Sequence, residues 1–307
     1  MNHLSLFLFV YSLLFSWTAE GLLEGKALKD REAAIQRPSY RHELAICAIF
    51  QDEAAYLAEW IAFHRLLGVS HFYLYNHLSR DGYRQVLEPY CQRGEVELID
   101  WPYRCEGASE WNKVQTRAYE DAVKRAKGHA KWLAIIDTDE FLFPVEGDSL
   151  LPWLKEYEPF GGLAIHWQLF GTSSVERIEA GELLIEKLYL RARDDNPGHL
   201  YIKSIVRPER VKKITDPHFV HYKKPFFQVD EAKVQVKGAG CAPLRRSKLL
   251  INHYWSRDGQ FFRTRKIARR RGWQEQKEAI IARERQMNCV EDRLIDRFIS
   301  QLRAALQ

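Results

Sequence analysis

Asp137-Thr138-Asp139 is the segment of this chain best suited to carry chemistry. Residues two apart in an extended segment point to the same side. The two carboxylates can therefore converge on one hard cation, Mn²⁺ or Mg²⁺. A cation held there would neutralise charge developing on a diphosphate leaving group, which the transfer of a sugar from a nucleotide-sugar donor requires. The competing explanation is a solvated acidic turn, because Asp-x-Asp triplets are common. The neighbours favour the metal reading: Trp132-Leu133-Ala134-Ile135-Ile136 is an apolar run before the triplet, and Glu140-Phe141-Leu142-Phe143 follows it.

His253 emerges from Leu249-Leu250-Ile251-Asn252-His253-Tyr254-Trp255. It could add a nitrogen ligand to the metal shell, or be a hydrogen-bonded structural histidine. Arg263-Thr264-Arg265-Lys266 and Arg269-Arg270-Arg271 form a basic stretch. On one helix Arg265 and Lys266 cannot both face the way of Arg271, so some of these cations face solvent while Arg265 or Lys266 is available to a diphosphate. An anionic membrane surface is an alternative partner for such a stretch. No nucleic-acid motif is present, so no nucleic-acid partner is expected. Trp167 and Phe170 beside Gly171 could form a sugar platform or pack in the core, and His218, after Asp216-Pro217, is open in the same way.

These residues need a scaffold. From Glu43 onward, buried strands alternate with helices. The strands are Leu44–Phe50, His71–Asn76, Val96–Asp100 and Trp132–Ile136; the helices are Ala55–Leu67, Tyr83–Cys91 and Ser109–Ala126. Leu57, Trp60, Ile61, His64 and Leu67 share one helical face, and Gly68 ends that helix. Alternation of this kind implies an α/β fold with a mostly parallel central sheet. Such sheets bind ligands at the carboxyl ends of their strands, where Phe50-Gln51-Asp52-Glu53, Asn76, Asp100 and Asp137 fall. The second half is less regular. Gly162–Trp167, Leu183–Arg191 and Tyr201–Val206 read as strands, and Asp258–Arg271 and Val290–Leu306 as helices. It is a mixed α+β half.

Composition sets the outer bounds. A hydrophobic content of 46% over 307 residues supports a substantial core, and a net charge of +5 suits, without requiring, an anionic substrate. Nine tryptophans offer flat faces for sugar rings as well as core packing. The five cysteines (Cys47, Cys91, Cys105, Cys241, Cys289) are widely spaced with no C-x-x-C pair, which excludes a zinc ribbon or a small disulfide scaffold. Leu4–Ala19 is an uncharged apolar run, short for a membrane span and without the basic n-region of a signal peptide. Residues 1–20 are read as a signal peptide or membrane anchor and 21–40 as a linker or stem.

In order along the chain, these segments resemble glycosyltransferase family 92. The residues that carry the resemblance begin with Phe50-Gln51-Asp52-Glu53, Tyr56-Leu57, Glu59-Trp60, His64, Gly68-Val69, Phe72 and Tyr75-Asn76. Gln115, Asp137-Thr138-Asp139-Glu140-Phe141, Trp167, Phe170-Gly171, Lys203–Pro208 and His218-Phe219 continue the series. Ile251–Arg257, Phe261, Lys266 and Gly272 complete it. The resemblance implies a GT-A-like fold over residues 41–275, with a C-terminal helical extension at 276–307. It also implies a divalent metal, often Mn²⁺, and inverting transfer from a UDP-sugar, with UDP-galactose the foremost donor, to a glycan or glycoconjugate acceptor. Asp137 and Asp139 would match the metal motif with His253 as partner, and Glu53 and Asn76 would line the nucleotide pocket. Many eukaryotic family members are Golgi enzymes with an amino-terminal anchor, which the apolar run would suit; a bacterial member would work at the cytoplasmic face of its membrane. Inverting transfer needs a general base opposite the diphosphate, for which Glu140 and Asp258 are the candidate carboxylates. Two other functions compete: a metal-independent glycoside hydrolase with paired carboxylates, and a non-catalytic membrane-associated carbohydrate-binding protein.

Overall fold

The structure, a computed structural model, describes residues 39–307. The expected signal or anchor at 1–20, and all but the end of the linker at 21–40, lie outside them. Among the described residues no helix is long and apolar enough to cross a membrane.

The alternating first half folds as its pattern dictates. Strands β1 (His42–Phe50), β2 (His71–Asn76), β3 (Val96–Asp100) and β4 (Ala130–Ile135) are separated by helices α1 (Ala54–Leu66), α2 (Tyr83–Gln92) and α3 (Gly107–Ala126). All pairings among these four strands are parallel. The continuous apolar run of β1 is explained by burial on both faces. Leu44, Ile46 and Ala48 enter the core under α1 with Leu57, Trp60 and Ile61. Ala45, Cys47 and Ile49 enter a second core under α3 with Val114, Ala118 and Ala122. Each fully buried large aliphatic side chain contributes about 1.5–3 kcal/mol. Gly68, at φ +101°, turns the chain out of α1 into β2, and a side chain there would be both strained and crowded against Leu151.

The second half completes the sheet. Its strands are β5 (Glu140–Pro144), β6 (Gly162–Leu169), β7 (Leu190–Arg191), β8 (Ile202–Val206), β9 (Val211–Asp216), β10 (Phe219–Tyr222), β11 (Gln228–Val229), β12 (Leu249–His253) and β13 (Val290–Glu291). The main sheet runs β3-β2-β1-β4-β8-β6-β12-β5, with β11 on β6. β8 is antiparallel to both β4 and β6, and β5 is antiparallel to β12. Parallel pairs still predominate, so the α/β class with a mostly parallel sheet holds.

Three expectations are corrected. Leu183–Arg191 is not a single strand: Leu184–Lys187 is a helical turn, and only Leu190–Arg191 is extended. The buried Glu59 carboxylate accepts from the Leu184 and Ile185 amides at 2.8 and 3.1 Å, which nucleates the turn. Val290–Leu306 is not one helix. It begins as β13, held to β7 by backbone pairing and by the Arg191–Asp292 contact, before Leu294–Phe298 and Ile299–Ala305 turn helical. The helix expected over Asp258–Arg271 contains a π segment, Phe262–Lys266, between α-helical Gly259–Phe261 and Ile267–Gly272. Residues 276–307 pack into the same body: Phe298 lies edge-on to Phe63 and Phe143 in the main core. All five cysteines are free.

Candidate active site

Asp137-Thr138-Asp139 forms the turn between β4 and β5, and surrounding elements grip it from several sides. The Glu140 amide donates to Asp137 O (3.1 Å), while the Asp137 amide donates to Glu140 Oε2 (3.0 Å). From α1, Trp60 Nε1 donates to Glu140 O at 2.8 Å. One turn later His64 Nδ1 donates to Trp60 O (2.8 Å), leaving Nε2 to accept from the Leu142 amide (3.1 Å). Behind the triplet, the Tyr254 amide donates to Asp139 O at 2.8 Å. Arg257 Nη2 donates to Thr138 O (3.0 Å) and to Glu53 Oε2 (2.5 Å). The β5–β12 register sets His253 directly across from Glu140.

The two aspartates do different work. Asp137 Oδ1 accepts from Gln115 Nε2 (2.9 Å) and Tyr119 OH (2.8 Å), and Oδ2 accepts from Lys203 Nζ (2.8 Å). Burial disfavours its charged form, but the Lys203 ammonium outweighs that and lowers its pKa. Asp139 instead has Oδ1 3.5 Å from His253 Nε2 and Oδ2 3.5 Å from Lys266 Nζ. Burial opposes ionisation of Asp139 as well; the contacts with His253, Lys266 and Arg257 hold its pKa well below the carboxylate range. Burial lowers the pKa of His253, with Asp139 opposing the shift. Lys266 is itself pushed down to about 8 by burial, with neighbouring arginines adding to the shift and Asp139 opposing it.

Asp139, Glu140 and His253 bring one potential ligand atom each to within 4.8 Å of one another. Among the described residues Glu140 Oε1 and His253 Nδ1 are buried without a hydrogen-bond partner, although Lys203 Nζ lies 3.5 Å from Glu140 Oε1. Burial raises the Glu140 pKa well above the ordinary value. Two carboxylates and one neutral imidazole are a donor set that fits Mn²⁺ or Mg²⁺, and a cation would satisfy the orphaned oxygen. The grouping thus keeps Asp139 and His253 together and adds Glu140, while both oxygens of Asp137 are committed elsewhere.

The remaining candidates fall around this centre. Glu53 is buried, paired with Arg257, and its pKa is raised by burial against the pull of that arginine. Asn76 is occupied by structure, donating to Tyr83 OH and Asp100 Oδ1 and accepting from the Ser79 amide. Arg265 is exposed, 3.4 Å from Asp52, and lines a cavity of about 390 Å³ with Gln51, Asp52, Thr264 and Arg269. Asp258 caps the helical segment after β12: its oxygens accept from the Phe261 and Ile178 amides. A base role for it meets that commitment. Trp167 packs against His253 (ring centroids 4.3 Å apart) and His218 (4.8 Å). Gly171 does not join them as a platform; it lies against Asn288, whose side chain leaves no room for a Cβ.

Sequence reasoning passed over Lys203 and Arg257 as site residues. Lys203, near the start of β8, is 1% exposed. A lysine flanked by Tyr201-Ile202 and Ser204-Ile205-Val206 is itself a signal, because an ammonium enters a buried strand only with partners. Burial works against its charge, but Asp137 and Glu140 raise its pKa overall. Arg257, fully buried and at φ +56°, carries no comparable local signal.

The model of glycosyltransferase family 92 matches residues 42–282. The chain belongs to this family. A family 92 protein of Arabidopsis thaliana is 27% identical over 228 residues, covering 71% of this chain and 36% of the relative. One of Ricinus communis is 26% identical over 237 residues, covering 74% and 38%. The chain therefore spans little more than a third of the length of these curated relatives. Among solved structures, S. aureus TarS in complex with UDP-GlcNAc aligns at 11% identity with a TM-score of 0.38, covering 68% of this chain and 58% of that one. Mycobacterium tuberculosis glucosyl-3-phosphoglycerate synthase, solved with Mn²⁺ and UDP, aligns at 14% identity with a TM-score of 0.31, covering 55% and 58%. At these scores the likeness is limited to parts of the fold.

Proposed function

We propose that this family 92 chain is a metal-dependent inverting glycosyltransferase. In this reading it moves a hexose, galactose foremost, from a UDP-sugar to a glycan or glycoconjugate acceptor. The observation that carries the reading is the Asp139–Glu140–His253 group, with Asp139 half-buried and the other two buried, beside Lys266 at the end of β4, where an α/β sheet offers its ligand site. Asp139 and His253 would hold Mn²⁺ or Mg²⁺, with Glu140 Oε1 completing the protein's donor set. Such a cation, when bound, stabilises negative charge on the departing diphosphate. Lys266 and Arg265 supply further positive charge to that diphosphate, Lys266 from within the site and Arg265 from the adjoining cavity. Arg257 and the Trp60–His64 pair keep the turn rigid, so that no reorganisation accompanies charge development.

The test is a panel of nucleotide sugars with Mn²⁺, read by nucleotide release, on wild type and Asp139→Asn. Wild type is expected to release UDP from one donor and to lose that activity with chelator. Asp139→Asn is expected to fall by about two orders of magnitude, the scale of a lost charge-stabilising group. Unchanged rate and metal dependence in Asp139→Asn would sink the assignment. Chelator-insensitive hydrolysis of a glycoside would favour the hydrolase instead.

A further inference from the structure

Tyr201 is 47% exposed, although its backbone is firmly held. Its carbonyl accepts from the Trp167 amide at 3.1 Å, its amide donates to Gly198 O at 3.3 Å, and it bridges to Gly240 across an antiparallel contact. The ring packs on Trp167 with centroids 5.7 Å apart and on His218 at 5.2 Å. Trp167 in turn touches the His253 ring at 4.3 Å. Two ring contacts therefore lead from the surface to a member of the metal-competent group. An aromatic face fixed in place yet left open to solvent offers contact area at little entropic cost.

His218 adds a directional polar group. Its Nδ1 lies 3.2 Å from Ile202 O, and because a carbonyl only accepts, Nδ1 must donate. Nε2 of the neutral ring then presents a lone pair. His218 is half-buried, and among the described residues its ring makes a hydrogen bond only through Nδ1. Burial and the nearby Lys203 hold the His218 pKa down, to about 4, so the lone pair persists at neutral pH.

We propose that Tyr201, Trp167 and His218 form the acceptor-saccharide subsite: the open face of Tyr201 stacks on a pyranose ring, and His218 Nε2 accepts a hydrogen bond from one of its hydroxyls. This rests on the glycosyltransferase reading and names the acceptor chemistry of that site. An apolar ring face beside one polar acceptor matches a pyranose, with its C–H face and its rim of hydroxyls, better than a fully polar or fully apolar ligand. The ring reaches His253 through Trp167, and none of Tyr201, Trp167 and His218 lines the cavity that holds Arg265.

The test is saturation-transfer NMR on wild type, Tyr201→Ala and Tyr201→Phe. The probes are the methyl glycosides of galactose, glucose, mannose and N-acetylglucosamine at millimolar concentration, with uridine as the competing ligand. At least one glycoside should receive saturation most strongly on its C–H face. Tyr201→Ala should weaken its binding about tenfold, the scale of a lost aromatic contact of about 1–1.5 kcal/mol. Tyr201→Phe should retain it. No glycoside signal in wild type, an unaltered signal in thermally intact Tyr201→Ala, or loss of uridine binding in place of glycoside binding would overturn the subsite. Nucleotide release on the same wild-type sample separates the two readings. Sugar binding through Tyr201 without any donor turnover refutes the transferase, and with it the acceptor role, and leaves a saccharide-binding site.

Discussion

Lys203 is buried with its ammonium 2.8 Å from Asp137 Oδ2, so removing that carboxylate leaves the charge only the more distant Glu140, at 3.5 Å. Asp137→Asn should cost about 3–5 kcal/mol of stability, as breaking one side of a buried ion pair does. Urea unfolding checks this. Asp139 should behave differently, because its neighbours His253 and Lys266 lie 3.5 Å away. Asp139→Asn is expected to keep most of the stability and lose metal affinity, measured by Mn²⁺ titration; equal unfolding midpoints for the two variants would contradict the division of labour. Arg257 belongs at the same scale. Arg257→Met leaves Glu53 buried without its partner and should also cost about 3–5 kcal/mol, whereas adding Glu53→Gln should recover part of the loss. An additive double mutant would show that the pair is not coupled.

Helix α1 holds β5 through two side chains one turn apart. Trp60 donates to Glu140 O, and His64 accepts from the Leu142 amide. Both nitrogens of His64 are committed, which fixes a single neutral tautomer. Protonating Nε2 would turn an N–H toward the Leu142 N–H. Burial accordingly lowers the His64 pKa to about 3, against an ordinary 6.5, with the bond to Trp60 O opposing the shift. The unfolded chain therefore binds the proton more readily. Stability from this group is complete above about pH 6.5 and declines as pH falls toward 3, by up to about 1.4 kcal/mol per pH unit. Between pH 7 and pH 5 the urea midpoint of wild type should fall by more than that of His64→Gln. Parallel profiles for the two proteins would remove His64 from the account of acid sensitivity.

At the scale of the molecule, the carboxyl-terminal segment closes the core under α1. Ile295, Phe298 and Leu302 are buried there with Phe63, Phe141 and Phe143. Phe141 directly follows Glu140 of the metal-competent group, so this core also supports the site. Phe298→Ala should destabilise by about 3–5 kcal/mol. Deleting residues 294–307 should broaden or abolish cooperative thermal unfolding monitored by circular dichroism. A truncated chain that melts like wild type would make the segment an appendage.

Local sequence was enough for the parallel half of the fold. β1, β2 and β4 are short, largely apolar runs, α2 and α3 each carry an apolar face, and neither feature needs distant partners to be recognised. It also pointed to Asp137, Asp139 and His253 as metal candidates, because an acid or an imidazole at the end of a buried run is costly without a task. Where distant groups intervene, the local pattern misleads. Leu184 and Ile185 turn helical because Glu59, far away in α1, captures their amides. Asp137 and Asp139 look equivalent as a triplet, yet Gln115, Tyr119 and Lys203 claim one while His253 and Lys266 flank the other. Tyr201 reads as an ordinary strand residue until β6 and the β9–β10 turn bring Trp167 and His218 beside its ring. Sequence spacing specifies which side chains share a face of one element; which carboxylate is left free, and which ring is left exposed, follows only from the contacts that the packed elements impose.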